Sequence, residues 1–210
     1  MFNSMSQNVR YVNDVPRTSD PSRRDVLLSE IVDHLGDSSL ASFSFRTLAR
    51  SLGVSTYSLV YYFGTREELL CEIVRAIAQR QKSAEPRTEE IISIDDHLAQ
   101  IRASFDWQLD PKNLKVQRLE FEAATLEAPD SHALTRSVFG YWMTETERIL
   151  VNLGLSTADA AIEARILNNL FYGFQYDLVV NGDFAAASTA FSVMLERYRE
   201  HLCTVIERSV

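Results

Sequence analysis

The chain has 210 residues, 46% of them hydrophobic and 24% charged, and carries a net charge of −8. That composition is globular and the length fits one large domain or two modest ones. It excludes a protein that binds nucleic acid over its whole surface, and no run reaches the ~20 apolar residues of a membrane span.

The acid is unevenly placed. Residues 1–82 hold ten Lys/Arg and nine Asp/Glu, and residues 83–210 hold eleven and twenty. The second part should therefore stay off DNA. Residues 1–20 are polar, lack the apolar core of a signal peptide and are expected to have no fixed structure. A cytoplasmic location is the expectation. Arg10 and Arg17 could form an arm touching DNA, against the simpler reading of a solvated tail. With few Pro and Gly and no clean period-two segment, the fold class reads as all-α, about nine helices in total.

A first helix is expected from Pro21-Ser22 to Leu35, ended by Gly36, with Val26, Leu27, Ile31, Val32 and Leu35 as its buried stripe. After a loop, Ser44 caps a helix whose Phe45, Leu48, Ala49 and Leu52 recur at helical spacing. Gly53 fits the left-handed residue that ends it, and Ser55 caps a second short helix with Leu59 on its inner face. Gly64 stops that helix. Thr65 caps the next, with Glu67 and Glu68 in its first turn, where the helix dipole favours acid. A helix, a Gly-containing turn and a second short helix make a helix-turn-helix. Between Ser44 and Arg66 stand three arginines and no acid, a local reversal of sign that is the electrostatic footprint of DNA binding.

The series Leu48-Ala49, Leu52-Gly53-Val54-Ser55, Leu59-Val60-Tyr61-Tyr62-Phe63 and Thr65-Arg66-Glu67-Glu68-Leu69-Leu70 resembles the DNA-binding segment of the tetracycline-repressor (TetR) family. The resemblance covers under a quarter of the chain. Three positions depart from the family's habit: Thr56 where a Lys is common, Tyr57 where a small residue is common, and Val60 where an aromatic is common. The DNA-binding candidates are Ser44, whose helix N-terminus should meet a phosphate; Arg46, Tyr61, Tyr62 and Arg66 for further backbone contacts; and Thr47, Ser55, Thr56, Tyr57 and Ser58 along the turn and second helix, Thr47 and 56–58 for base edges. The domain plan is a tail over 1–20, a three-helix DNA-binding domain with its connecting helix over 21–82, and a C-terminal helical bundle for ligand binding and dimerisation over 83–210.

Leu69, Leu70, Ile73, Val74 and Ile77 predict a helix from Arg66 to about Lys82, which in the resembled family connects ligand site and DNA head. Ser83 to Thr88, with Pro86, reads as a linker. Five helices should follow: Ile91 to about Leu109, interrupted by Pro111; Leu114 to about Glu127, ended by Pro129; Ser131 to Leu153; Ser156 to about Asn181; and Phe184 to Glu207. Ile162, Ile166, Leu170 and Gly173 form one stripe of the penultimate helix, and Leu167, Phe171, Phe174 and Leu178 another. A helix apolar on two faces needs two partners, and a palindromic operator needs a twofold dimer. Leu167, Phe171, Phe174, Leu178, Phe191, Met194, Leu195, Tyr198 and Leu202 are the candidate dimer interface.

The resemblance implies a small-molecule pocket among the central helices, whose occupancy shifts the two DNA-binding heads out of register. Phe105, Phe121, Thr125, Phe139, Trp142, Met143, Asn169, Tyr172 and Tyr176 are the candidate lining, with Trp107, Asn168 and Gln175 beside them; burial in an ordinary core competes for each. No enzyme motif is present, and no metal or other cofactor is expected. Glu120 and Glu122, two apart on a helix, face different ways and cannot act as a pair. Cys71 and Cys203 read as free thiols. The chain is thus expected to be a dimeric DNA-binding regulator, a repressor released from a palindromic operator by a small molecule. The alternative is a helical ligand-binding or interaction protein whose helix-turn-helix does not bind DNA, a reading supported by Thr56 alone.

Overall fold

The computed structural model describes residues 21–84, 91–126, 136 and 140–209. Nine helices, and no strand, occur among them: α1 Pro21–Gly36, α2 Phe45–Leu52, α3 Thr56–Phe63, α4 Arg66–Ala84, α5 Ile94–Gln108, α6 Pro111–Leu126, α7 Tyr141–Asn152, α8 Thr157–Val180 and α9 Phe184–Ser209. The arm at Arg10 and Arg17, most of the linker, Pro129, Phe139 and the start of the helix expected from Ser131 lie outside the described residues.

Each boundary in the head has a local cause. Ser44 accepts from the backbone N–H of Thr47, and Thr47 Oγ1 accepts from the Ser44 N–H at 2.9 Å, a reciprocal capping box. Gly53 ends α2 at φ +65°, the left-handed conformation that a Cβ disfavours. Thr65 and Glu68 form a second capping box at α4, with the Glu68 carboxylate taking the Thr65 N–H at 2.7 Å and Thr65 Oγ1 the Glu68 N–H at 3.1 Å. A Cβ on Gly64 would overlap that carboxylate, and the backbone there also has positive φ.

Two helices start elsewhere than the sequence predicts. Helix α5 begins at Ile94, because Ser93 caps it through the Asp96 N–H at 3.1 Å. Helix α6 begins at Pro111, not Leu114. Proline needs no N–H bond at a helix's first position, and Asp110 takes the Lys112 N–H at 2.8 Å. Pro111 therefore opens a helix rather than interrupting one.

Two cores organise the chain. The first joins α1 to α4 around Leu27, Ile31, Leu48, Leu59, Ile73 and Ile77, all fully buried. Leu119 and Ala123 of α6 belong to it too, so a helix from beyond residue 83 completes the head's core. The second core joins α5, α7, α8 and α9 around Phe105, Leu150, Leu167, Leu178, Phe191 and Leu202. Helix α7 lies along α8, and α9 along both α5 and α8. At its centre Phe105 stacks on Phe191 with ring centroids 3.9 Å apart.

Candidate nucleic-acid interface and ligand cavity

Helices α2 and α3 turn their apolar sides inward, which leaves a polar and aromatic outer face. Arg46, Arg50, Ser55, Thr56, Tyr57 and Tyr61 are exposed there, with Tyr57 78% accessible. The Tyr57 and Tyr61 rings stack along α3 at 6.4 Å, and Tyr61 meets Tyr62 edge-on at 5.2 Å. Tyr57 and Tyr61, exposed on one short helix, belong to neither core.

Other candidates on this face are already engaged. The Thr47 hydroxyl accepts from the Ser44 N–H and donates to the Ser44 carbonyl, both at 2.9 Å. Ser55 and Ser58 share a hydroxyl pair at 2.8 Å, while Ser55 Oγ takes the Ser58 N–H. Arg66 donates from Nε to the Phe43 carbonyl at 3.3 Å and holds its guanidinium 4.6 Å from the centre of the Phe43 ring. Tyr62 is half-buried against the first core. Thr47, Ser58, Arg66 and Tyr62 thus have structural duties that sequence spacing does not reveal, whereas Arg46, Thr56 and Tyr57 project outward.

Between α5, α6, α7 and α8, closed by the end of α4, lies a cavity of about 790 Å³. Of the candidate lining, Trp142 and Tyr172 are on its wall, as are Trp107, Asn168 and Gln175. Phe105 is not, because it stacks in the second core. Phe121 packs edge-on to Tyr172 and Tyr176 at 6.4 and 6.0 Å behind the wall. Met143 packs into the second core. Thr125, Asn169 and Tyr176 are exposed. Of the face of α8 expected to converge, Asn169-Tyr172-Tyr176, Tyr172 alone reaches the wall, where Asn168, Phe171 and Gln175 join it in place of Asn169 and Tyr176. One residue on a helix is a rotation of about 100°.

Most of the wall's buried polar groups, Gln175 excepted, are absent from the sequence-based lining. Gln81, His97, Ser104, Gln108, Gln117, Glu120 and Gln175 line the cavity, and all are buried. A signal existed: His97, Ile101, Ser104 and Gln108 recur at helical spacing along α5, putting polar groups on a face that should be core. Glu120 Oε2 accepts from Gln81 Nε2 at 2.8 Å and from Gln117 Nε2 at 2.7 Å, and Gln81 Nε2 also donates to Gln117 Oε1 at 3.1 Å. Burial raises the Glu120 carboxyl above its ordinary range, against the lowering effect of hydrogen bonds from Gln81, Gln117 and Tyr172. Burial alone drives His97 down to about 4, and neither ring nitrogen has a hydrogen-bond partner. Among the described residues no group of three or more His, Cys, Asp or Glu is placed to hold a metal ion.

Cavity and head meet on α6. Gln117 and Glu120 face the cavity, while Lys115, Arg118 and Glu122 reach the head. Arg118 donates to the carbonyls of Leu35 and Gly36 at 3.0 and 3.1 Å and pairs with Glu122. Glu122 Oε2 accepts from Ser39 Oγ at 2.8 Å and from the Leu40 N–H at 2.7 Å. Lys115 pairs with Asp37. The divergence of Glu120 and Glu122 expected from their spacing is thus put to use on two sides of one helix.

The candidate dimer residues are inside the subunit. Leu167, Leu178, Phe191, Tyr198 and Leu202 are buried in the second core, and Phe171, Phe174, Met194 and Leu195 pack against it. The other stripe of α8 faces outward: Ile162 is 57%, Ile166 44% and Leu170 41% accessible. The aromatic face is taken up within the chain, where Phe171 and Phe174 meet Phe191 of α9 and Phe174 also meets Phe105 of α5.

No family model matches the chain. One curated relative, the HTH-type transcriptional regulator BetI of Stenotrophomonas maltophilia, is 27% identical over 122 residues, covering 56% of this chain and 62% of the relative. That alignment spans less than two thirds of the relative's length. Solved structures match over most of their length. A transcriptional regulator from Rhodococcus sp. Rha1 superposes with TM-score 0.65 at 18% identity, covering 89% of this chain and 98% of its own. A TetR transcriptional regulator from Legionella pneumophila gives 0.60 at 15% identity, covering 90% and 98%. BioQ, solved with its double-stranded DNA operator, gives 0.54 at 20% identity, covering 82% and 96%. The likeness spans head and bundle together. The chain carries the fold of the TetR-family transcriptional regulators.

Proposed function

We propose that this protein is a sequence-specific DNA-binding transcriptional regulator, acting as a repressor that a small molecule in the central cavity releases from a palindromic operator. The observation that carries the reading is the outer face of α2 and α3, where Arg46, Arg50, Thr56, Tyr57 and Tyr61 are exposed on a helix-turn-helix with no acid between Ser44 and Arg66. In this motif the second helix enters the major groove, where hydroxyls and aromatic edges read bases and arginines hold phosphates. The N-terminus of α2, where Ser44 caps through Thr47, is suited to a phosphate.

Control rests on α4 and α6. Each carries cavity residues at one point and head residues at another, so a ligand that repositions Glu120 or Gln81 acts directly on elements of the head's core. The ligand must favour the head arrangement that cannot bind the operator, since only differential affinity shifts an equilibrium. A palindrome requires a twofold dimer, and the outward stripe Ile162, Ile166 and Leu170 on α8 is the surface proposed for the second copy.

The test is fluorescence anisotropy with labelled duplex over a salt series. Arg46→Ala is expected to weaken binding to all sequences alike and to flatten the salt dependence by about one unit, and Tyr57→Ala to lose selectivity among sequences. Arg66→Ala is the poorer probe, because it also unpins Phe43. Duplex binding that neither variant changes would refute the assignment of this face.

A further inference from the structure

We propose that the cavity selects an organic ammonium: a primary or secondary amine in its charged form on an apolar or aromatic body. This rests on reading the cavity as the ligand site, and it names the ligand's class.

The wall offers acceptors in excess of donors. The Gln81 amide is fixed by giving Nε2 to both Glu120 and Gln117, which leaves its Oε1 without a donor. Gln108 Oε1 and Gln175 Oε1 also lack one. All three of these glutamines are at least nine-tenths buried. Buried acceptors without donors are costly and uncommon in a native structure, and an N–H-bearing cation supplies several donors at once. An anion would instead meet Glu120 and Glu145.

Charge points the same way. Arg148 is the one Arg or Lys among the described lining residues, and both Glu145 oxygens hold it, at 2.6 and 3.1 Å. Lys82, outside the lining, sits with Nζ 4.2 Å from the centre of the Tyr141 ring, so this wall already receives a cation on an aromatic face. Trp107, Trp142 and Phe171 offer further aromatic surface. His97 also lines the cavity, and burial holds its imidazole neutral near pH 7, while the Tyr172 hydroxyl donates to Glu120 itself. Burial holds Glu120 toward its protonated form, so an ammonium beside it favours ionisation and binding should release protons.

Calorimetric titration of the full chain with tryptamine, indole-3-propanoate, tryptophol and N,N,N-trimethyltryptammonium tests this, because the four share one indole body. We expect tryptamine to bind at least tenfold tighter than the other three, with proton release seen as a dependence on buffer ionisation enthalpy. Glu120→Gln should abolish the release and weaken tryptamine at least tenfold, leaving tryptophol unchanged. Gln175→Leu, which keeps the carboxylate, should weaken tryptamine should Glu120→Gln fail to fold. Equal or tighter binding of the acid, the alcohol or the quaternary ion overturns the proposal, as does tryptamine that does not bind at millimolar concentration or is indifferent to both variants. DNA release is read separately. Tryptamine that binds without releasing operator refutes ligand control and leaves the ammonium site standing; release by the acid alone does the reverse.

Discussion

His97 is held neutral by its surroundings. Burial lowers its pKa to about 4, from the 6.5 of an exposed imidazole, and no charged group offsets the loss of water. Below pH 6.5 the unfolded chain takes up a proton that the folded chain refuses until about pH 4, so this residue's contribution to stability is whole above 6.5 and is lost as the pH falls through that window. A shift of this size limits the loss to about 3 kcal/mol. Glu120, whose pKa is raised, works in the opposite sense, because the folded chain gains its proton first. The clean measurement is therefore a difference. Urea unfolding of the wild type and of His97→Leu between pH 7 and 4 should show the wild type losing more stability on acidification. Parallel pH profiles would mean that water already reaches the imidazole.

At the scale of the element, α6 is the part that joins the two cores. Leu119 and Ala123 bury in the head while Gln117 and Glu120 line the cavity. Glu122 closes the loop between α1 and α2 by holding Ser39 Oγ and the Leu40 N–H. Glu122→Ala should cost about 1–3 kcal/mol, the penalty for stranding a buried donor. Under the proposed control it should also leave the operator less responsive to ligand. Thermal melts check the first expectation and ligand-dependent anisotropy the second; a variant of wild-type stability and response would remove the loop from the coupling route. Gly53→Ala should destabilise by about 1–2 kcal/mol through its left-handed backbone, although open space surrounds the site. Much of this layout was legible in the sequence. Ser44, Gly53, Ser55, Gly64 and Thr65 mark the head because caps and left-handed residues are local chemistry, read from neighbours in the chain. The cavity was less legible. Its wall depends on how α8 is rotated about its own axis, and a rotation of one residue exchanges Asn169 and Tyr176 for Asn168 and Gln175. That choice belongs to α7 and α9, which pack against α8 from elsewhere in the chain.

For the whole molecule, the same rotation decides which surface is available for assembly. The aromatic stripe Leu167, Phe171, Phe174 and Leu178 is consumed inside the subunit, and the aliphatic stripe Ile162, Ile166 and Leu170 is left outside. Sedimentation at micromolar concentration should give twice the 23.9 kDa chain mass, and Ile166→Asp should return the monomer with the fold intact. A wild-type monomer, or a dimer indifferent to Ile166→Asp, would contradict the assigned face. The proposed dimer would also fix the operator, because two α3 helices related by a twofold axis must meet half-sites about one helical turn, or a near multiple, apart. The central claim is that this pair of heads reads DNA, and selection of the full-length protein on random duplexes tests it most directly. The account predicts enrichment of a palindrome whose half-site preference Tyr57→Ala relaxes. No enrichment at low or moderate salt would contradict it, and would leave a helical ligand-binding protein whose helix-turn-helix is only a fold.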